Sequence, residues 1–165
     1  MGRNGCGRYG DLCSDPVKKK VLFLCTGNAA RSQMAEALAR SDHGDLIDPV
    51  SAGSRPAGYV HPLAVRAMGE LGVSMDGAHS KSADEFSDQD FDVVVTVCDS
   101  AAQDCPIWPG ARRIEHWPID DPSWGPDDPA TRYHRFLATR DELRRRIDEL
   151  AASLSAPSPS GRWPG

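Results

Sequence analysis

No run of apolar residues in this 165-residue chain approaches the length that spans a bilayer, so a membrane helix is not expected. Basic charge is also in short supply. Nineteen Lys and Arg stand against 24 Asp and Glu, a net charge of −5 with no basic stripe, which argues against nucleic acid as a partner. The nucleotide-binding pattern G-x-x-x-x-G-K-[ST] is missing, and there are no internal repeats. Lys18-Lys19-Lys20 is followed by only four apolar residues before Cys25, too few for a secretory core, so a soluble cytoplasmic protein is expected. Aromatic residues make up just 7%, yet the 39% hydrophobic content suffices for one globular domain with its own core. In a reducing compartment the five cysteines point to catalysis or metal binding rather than to structural disulfides. Cys6 and Cys13 fall in a polar, glycine-rich stretch and read as incidental thiols. A zinc site from Cys6, Cys13, Cys98 and Cys105 is disfavoured, because the separation within each pair matches no usual ligand spacing.

What the chain does contain is Cys25-Thr26-Gly27-Asn28-Ala29-Ala30-Arg31-Ser32. Before it, Val21-Leu22-Phe23-Leu24 is the short, bounded apolar run of a buried parallel strand. After it, residues 33–40 place Met34, Ala35 and Leu38 on one helical face. The stretch therefore joins a strand end to a helix N-terminus, where unpaired amides and the positive end of the helix dipole favour an anion. Gly27 and Asn28 tolerate the backbone that such a loop requires, and Arg31 grips two anion oxygens at once. Ser32 offers a hydrogen bond to the Cys25 sulfur, and the dipole and Arg31 favour the thiolate, the form that attacks. By chance alone, C-x5-R follows roughly one cysteine in fifteen. The strand, glycine, serine and helix around it set this instance apart, and none of the other four cysteines shows the spacing.

Further along, residues 46–53 suggest a second strand ending at Gly53, followed by a loop over 54–59. Leu63, Ala64, Ala67, Met68 and Leu71 fall at helical spacing, closed by Gly72 as a C-cap. Residues 79–82 read as solvated surface, with a short helix over 83–86. Residues 91–97, rich in β-branched side chains, form a third strand, and 113–117 a fourth that runs into Pro118-Ile119-Asp120-Asp121-Pro122. A last helix starts near Pro129 with Phe136, Leu143, Ile147, Leu150 and Leu154 buried, while Arg140 and Arg144 to Arg146 are expected in solvent. The expected organisation is an arm over 1–19, an α/β domain over 20–154 and a Pro/Ser-rich tail over 155–165. Strands alternating with helices predict a parallel sheet of about four strands with helices on both faces. Ligands of such sheets bind outside the carboxyl ends of the strands, which brings Cys25, Cys98 and the Asp120-Asp121 turn to one edge. An acid opposite a cysteine nucleophile protonates a departing oxygen, and Pro122 stiffens the turn that aims Asp121.

CTGNAARS, VVVTVCDSAAQDC and HWPIDDP together resemble the thioredoxin-coupled arsenate reductases, which share their flavodoxin-like fold with low-molecular-weight protein tyrosine phosphatases. The likeness runs from about Val21 to Asp121 and includes the last helix. It implies that Cys25 attacks arsenate, that Arg31 and the amides of Thr26, Gly27, Asn28, Ala29, Ala30 and Ser32 bind the oxyanion, and that Asp121 is the acid. It also implies that Cys98 attacks the Cys25 adduct to release arsenite, and that Cys105 resolves the Cys25–Cys98 disulfide for reduction by thioredoxin or another thiol donor. No bound cofactor or metal is implied, and a monomer is the default. Some members hold potassium with an Asn, a Glu, a Ser and an Asp; Asn28, Glu36 and Ser51 match, but Lys81 stands in the fourth place, which argues against the ion. Ala30 replaces the second loop cysteine of some members. If residues 98–105 are helical in the reduced protein, Cys98 and Cys105 lie about 10 Å apart along the axis, beyond the ~7 Å limit for a disulfide, so oxidation must unwind the segment. Two other readings are a tyrosine phosphatase, whose family tends to carry Pro-Tyr-Tyr after the acid where this chain has Pro122-Ser123-Trp124, and a non-catalytic oxyanion or thiol sensor.

Overall fold

In the computed structural model, which describes residues 17–97, 108–125 and 128–155, four parallel strands form one sheet in the order β2-β1-β3-β4. They are β1 (Lys19–Cys25), β2 (Ile47–Gly53), β3 (Val93–Thr96) and β4 (Ile114–His116), interleaved with α1 (Arg31–His43), α2 (Pro62–Gly69), a 3-10 helix (Ala83–Phe86) and α3 (Pro129–Ser155). The four-stranded parallel sheet agrees with the expectation; among the described residues the three α-helices cover one face and the 3-10 helix the other. β1 is central because its apolar run is buried on both faces, with Val21, Leu22 and Phe23 fully inaccessible.

Alternation along β1 divides the core. Val21, Phe23 and Cys25 face a large cluster with Met34 and Leu38 of α1, Met68 of α2, and Phe136, Leu143 and Ile147 of α3. Leu22 and Leu24 face a smaller cluster that Phe86 of the 3-10 helix, Phe91 and Trp108 complete. Both bodies of side chains clamp β1, so the position of its last residue, Cys25, is set by the sheet. Register makes this explicit: Cys25 pairs with Gly53 of β2 and Leu24 with Thr96 of β3, so three strands end at one level.

Several local expectations need correction. β3 is shorter than residues 91–97, although Asp92 and Val97 on either side of it still donate to the Lys20 and Leu24 carbonyls of β1 at 2.9 and 2.8 Å. α2 ends at Gly69 with Glu70 as its C-cap, and Gly72, at φ +73°, turns the chain two residues later. Arg140 is not in solvent. It is 9% exposed and donates to the Ala67 carbonyl at 2.9 Å, so it secures the end of α2 against α3. Arg144, Arg145 and Arg146 do lie outward, paired with Asp42, Glu142 and Glu149. Among the described residues, no helix is long and apolar enough to cross a membrane.

Candidate active site

The loop between β1 and α1 wraps the Cys25 sulfur. Asn28 is the one non-glycine residue with positive φ among the described residues, at +49°, and this turn aims its amide at Cys25 Sγ, 3.1 Å away. Ser32 Oγ lies 2.8 Å from Sγ and accepts from Asn28 Nδ2 at 2.8 Å; when Cys25 is a thiolate, the Ser32 hydroxyl is the donor to it. The N-cap of α1 is Ala30, whose side chain makes no capping bond. The orphan amides at this helix start are thus left to an anion rather than to the protein. At 2% exposure, Cys25 lies at the bottom of this cradle.

Arg31 rises from the first position of α1, where it donates through Nη1 to the Ile119 carbonyl at 2.9 Å and faces Asp121 Oδ2 through Nη2 at 3.4 Å. The structure thereby joins Cys25, Arg31 and Asp121, which lie far apart in the chain. Asp121 Oδ1 accepts from the Ser123 amide at 2.9 Å and hydroxyl at 2.6 Å, a turn that fixes its carboxylate, while Asp120 is exposed. Cys98 and Cys105 lie outside the described residues.

Residues 79–82, expected as solvated surface, instead form a strap across the loop. The Lys81 amide donates to Asn28 Oδ1 at 2.7 Å, and Ser80 Oγ to the Gly27 carbonyl at 3.1 Å. Gln33 Nε2, buried on α1, holds both sides, reaching Asn28 Oδ1 at 2.9 Å and the His79 carbonyl at 2.7 Å. Gly53 donates to the Lys81 carbonyl at 2.9 Å, so the strap extends the sheet beyond β2. A Cβ on Gly53 would stand 2.6 Å from the Thr26 carbonyl oxygen, which explains why glycine follows Ser51-Ala52 at this point. Beneath the strap, Glu36 Oε1 accepts from Ser51 Oγ at 2.6 Å and lies 3.5 Å from Lys81 Nζ, while Oε2 binds Arg40 at 2.9 Å. The Lys81 and Glu36 side chains are each only 11% exposed. Asn28, Glu36, Ser51 and Lys81 are therefore neighbours, with an ammonium set against the carboxylate. The sequence held one clue to the strap: Ser82 and Glu85 form a capping box that fixes where the 3-10 helix starts and the strap ends.

The outer rim is more open. Tyr59 and Trp124 are exposed, the latter at 78%. His61 caps α2 through Nδ1, which accepts from the Leu63 amide at 3.1 Å, and burial depresses its pKa below 6.5 against the opposing pull of the Asp121 charge. Among the described residues no group of three His, Cys, Asp or Glu side chains is arranged to hold a metal.

With this geometry in view, likeness to known proteins becomes specific. Residues 20–159 match the profile of the low molecular weight phosphotyrosine protein phosphatase family. The chain belongs to that family. Within it, the arsenate reductase of Halalkalibacterium halodurans is 40% identical over 134 residues, covering 81% of this chain and 96% of the relative. A solved arsenate reductase in the phosphate-binding state superposes with a TM-score of 0.72 at 31% identity, covering 83% of this chain and 99% of that one. The thioredoxin-dependent arsenate reductase of Corynebacterium glutamicum gives 0.63 at 31% identity, covering 88% and 65% respectively. The fold and the anion loop are thus those of the family.

Proposed function

We propose that this protein is an arsenate reductase whose nucleophile is Cys25. The observation that carries the reading is the cradle itself: a buried sulfur that receives the Asn28 amide and the Ser32 hydroxyl, below an uncapped helix start, with Arg31 tied to Asp121. Likeness to arsenate reductases favours arsenate over phosphate as the anion turned over.

Arsenate enters with its oxygens on the loop amides of residues 26–32 and on Arg31. The Cys25 thiolate attacks arsenic(V), and one oxygen leaves as water after taking a proton from Asp121. The Cys98 thiolate then attacks Cys25 Sγ; the electron pair of the S–As bond stays on arsenic, which departs as arsenite. Cys105 attacks Cys98, freeing the Cys25 thiolate, and a thioredoxin dithiol reduces the Cys98–Cys105 bond. Burial of Cys25 supports such a relay, because a sulfur at 2% exposure is out of reach of another protein's thiol. No bound cofactor takes part, and the protein works as a soluble cytoplasmic monomer.

The test is to supply arsenate, thioredoxin, thioredoxin reductase and NADPH and to follow NADPH loss. Arsenate-dependent oxidation is expected; its absence with every thiol donor tried overturns the reading. A phosphatase activity through a phosphocysteine uses the same cradle, and slow hydrolysis of an aryl phosphate is expected beside the reduction.

A further inference from the structure

We propose that His61 is a positioning residue of this site, a neutral imidazole that ties the Ala29 end of the anion loop to the start of α2 and adds no second cation to the Arg31 guanidinium that already faces Asp121. The inference rests on the oxyanion chemistry assigned above to Cys25 and Asp121. Asn, Asp and Ser are the usual helix N-caps, so a histidine in that place calls for a reason. Here one residue makes connections in four directions. Its amide donates to the Ala29 carbonyl of the loop at 2.8 Å, and its own carbonyl accepts from Ala64 at 3.0 Å inside α2. Its Nδ1 accepts from the Leu63 amide at 3.1 Å, and its ring lies 4.7 Å from that of Phe136 on α3.

Nδ1 accepts only while its lone pair is free, so the capping tautomer carries its proton on Nε2. Protonation of Nδ1 sets one donor against another, releases the first turn of α2 and strains the Ala29 contact that the same residue makes. The charges that act on the ring from neighbouring elements are Asp121, in the turn after β4, and Arg132 on α3. On its own helix, Arg66 is engaged over the Tyr133 ring at 4.0 Å. Asp121 already faces the Arg31 guanidinium at 3.4 Å, and a second cation on the His61 ring adds to the bias toward the ionised carboxyl, the form that has no proton to give. Desolvation, the largest influence on the ring, keeps it neutral at physiological pH. Loop order and acid supply therefore fail together when His61 gains a proton.

The experiment compares the wild type with His61→Asn, a residue that caps a helix but does not titrate. Single-turnover arsenite release is measured from pH 5 to 8, and the ratio of variant to wild type is taken at each pH so that arsenate ionisation cancels. The ratio is expected to be constant above about pH 7 and to rise about tenfold per unit below the imidazole midpoint, as one titrating group requires. A second arm follows the His61 ring and the Leu63 amide by NMR: both should move with one midpoint, which Asp121→Asn shifts lower. A ratio flat across the range, or a Leu63 amide indifferent to the ring, overturns the proposal. If the wild type releases no arsenite, the arsenate reading falls, and the NMR arm alone decides the role of His61.

Discussion

The two walls of the anion loop are built on different terms. The inner wall sets buried Gln33, Glu36, Ser51 and Gly53 beneath the partly exposed strap of residues 79–82 and is over-determined: Asn28 Oδ1 alone accepts from both Lys81 and Gln33. The outer wall, residues 119–123, is half exposed and meets Arg31 through one carbonyl and one carboxylate oxygen. The first wall holds a strained backbone in place, since a non-glycine residue at φ +49° persists only where its surroundings insist on it. In the proposed reaction the second carries a proton to a substrate that must enter and leave. Rigidity belongs where the anion is gripped, and looseness where the leaving oxygen departs.

This contrast is open to attack by substitution. The proposed nucleophile between the walls comes first: Cys25→Ser should reduce arsenite release to background, and any steady turnover refutes the assignment. Arg31→Ala, which removes the side chain bonded to the Ile119 carbonyl and paired with Asp121, should cost about 10²–10³-fold in turnover. On the outer wall, Asp121→Asn should slow the first chemical step by about 10²-fold or more with little change in melting temperature, whereas exposed Asp120→Asn should leave it within about twofold. Equal effects would show that the wrong acid is named. On the inner wall the signature reverses. Gly53→Ala drives a Cβ against the Thr26 carbonyl and the Asn28 amide, so a stability loss of roughly 1–3 kcal/mol with weakened phosphate binding is expected in denaturation and titration measurements. Lys81→Met leaves Arg40 to neutralise Glu36 and should cost about 1 kcal/mol, read from the urea midpoint. The smallest effect concerns His61. Its native pKa lies below 6.5, so between the two values the unfolded chain binds a proton that the folded chain does not. Stability should fall as pH drops through that window, and His61→Asn should lessen the fall.

Much of this plan was legible in the chain. The run from Val21 to Leu24 announced a central strand because it is buried on both faces, and Gly27, Asn28 and Arg31 announced a loop that only an anion explains. The strap was not legible, because its decisive bonds to the loop use the Lys81 amide, the His79 carbonyl and the Ser80 hydroxyl, groups that any polar segment possesses. Arg140 misled for a related reason: an arginine among arginines looks solvated until the end of another helix supplies a carbonyl for it. Asp121 could be preferred to Asp120 through the stiff turn at Pro122 together with the family resemblance, but its link to Arg31 needed three dimensions.

The packing of α3 against α1 and α2 has a consequence for the order in which the chain is made. Cys25 and its loop leave the ribosome more than a hundred residues before Phe136, whose ring lies beneath His61, and before Leu143 and Ile147, which share a cluster with Met34 of α1. Until those residues arrive, α1 lacks the α3 part of its cluster, and Cys25 belongs to a core that is not yet complete. The nascent chain thus passes through a period in which its most reactive atom is least protected. Reducing conditions then matter during synthesis as much as in the proposed turnover.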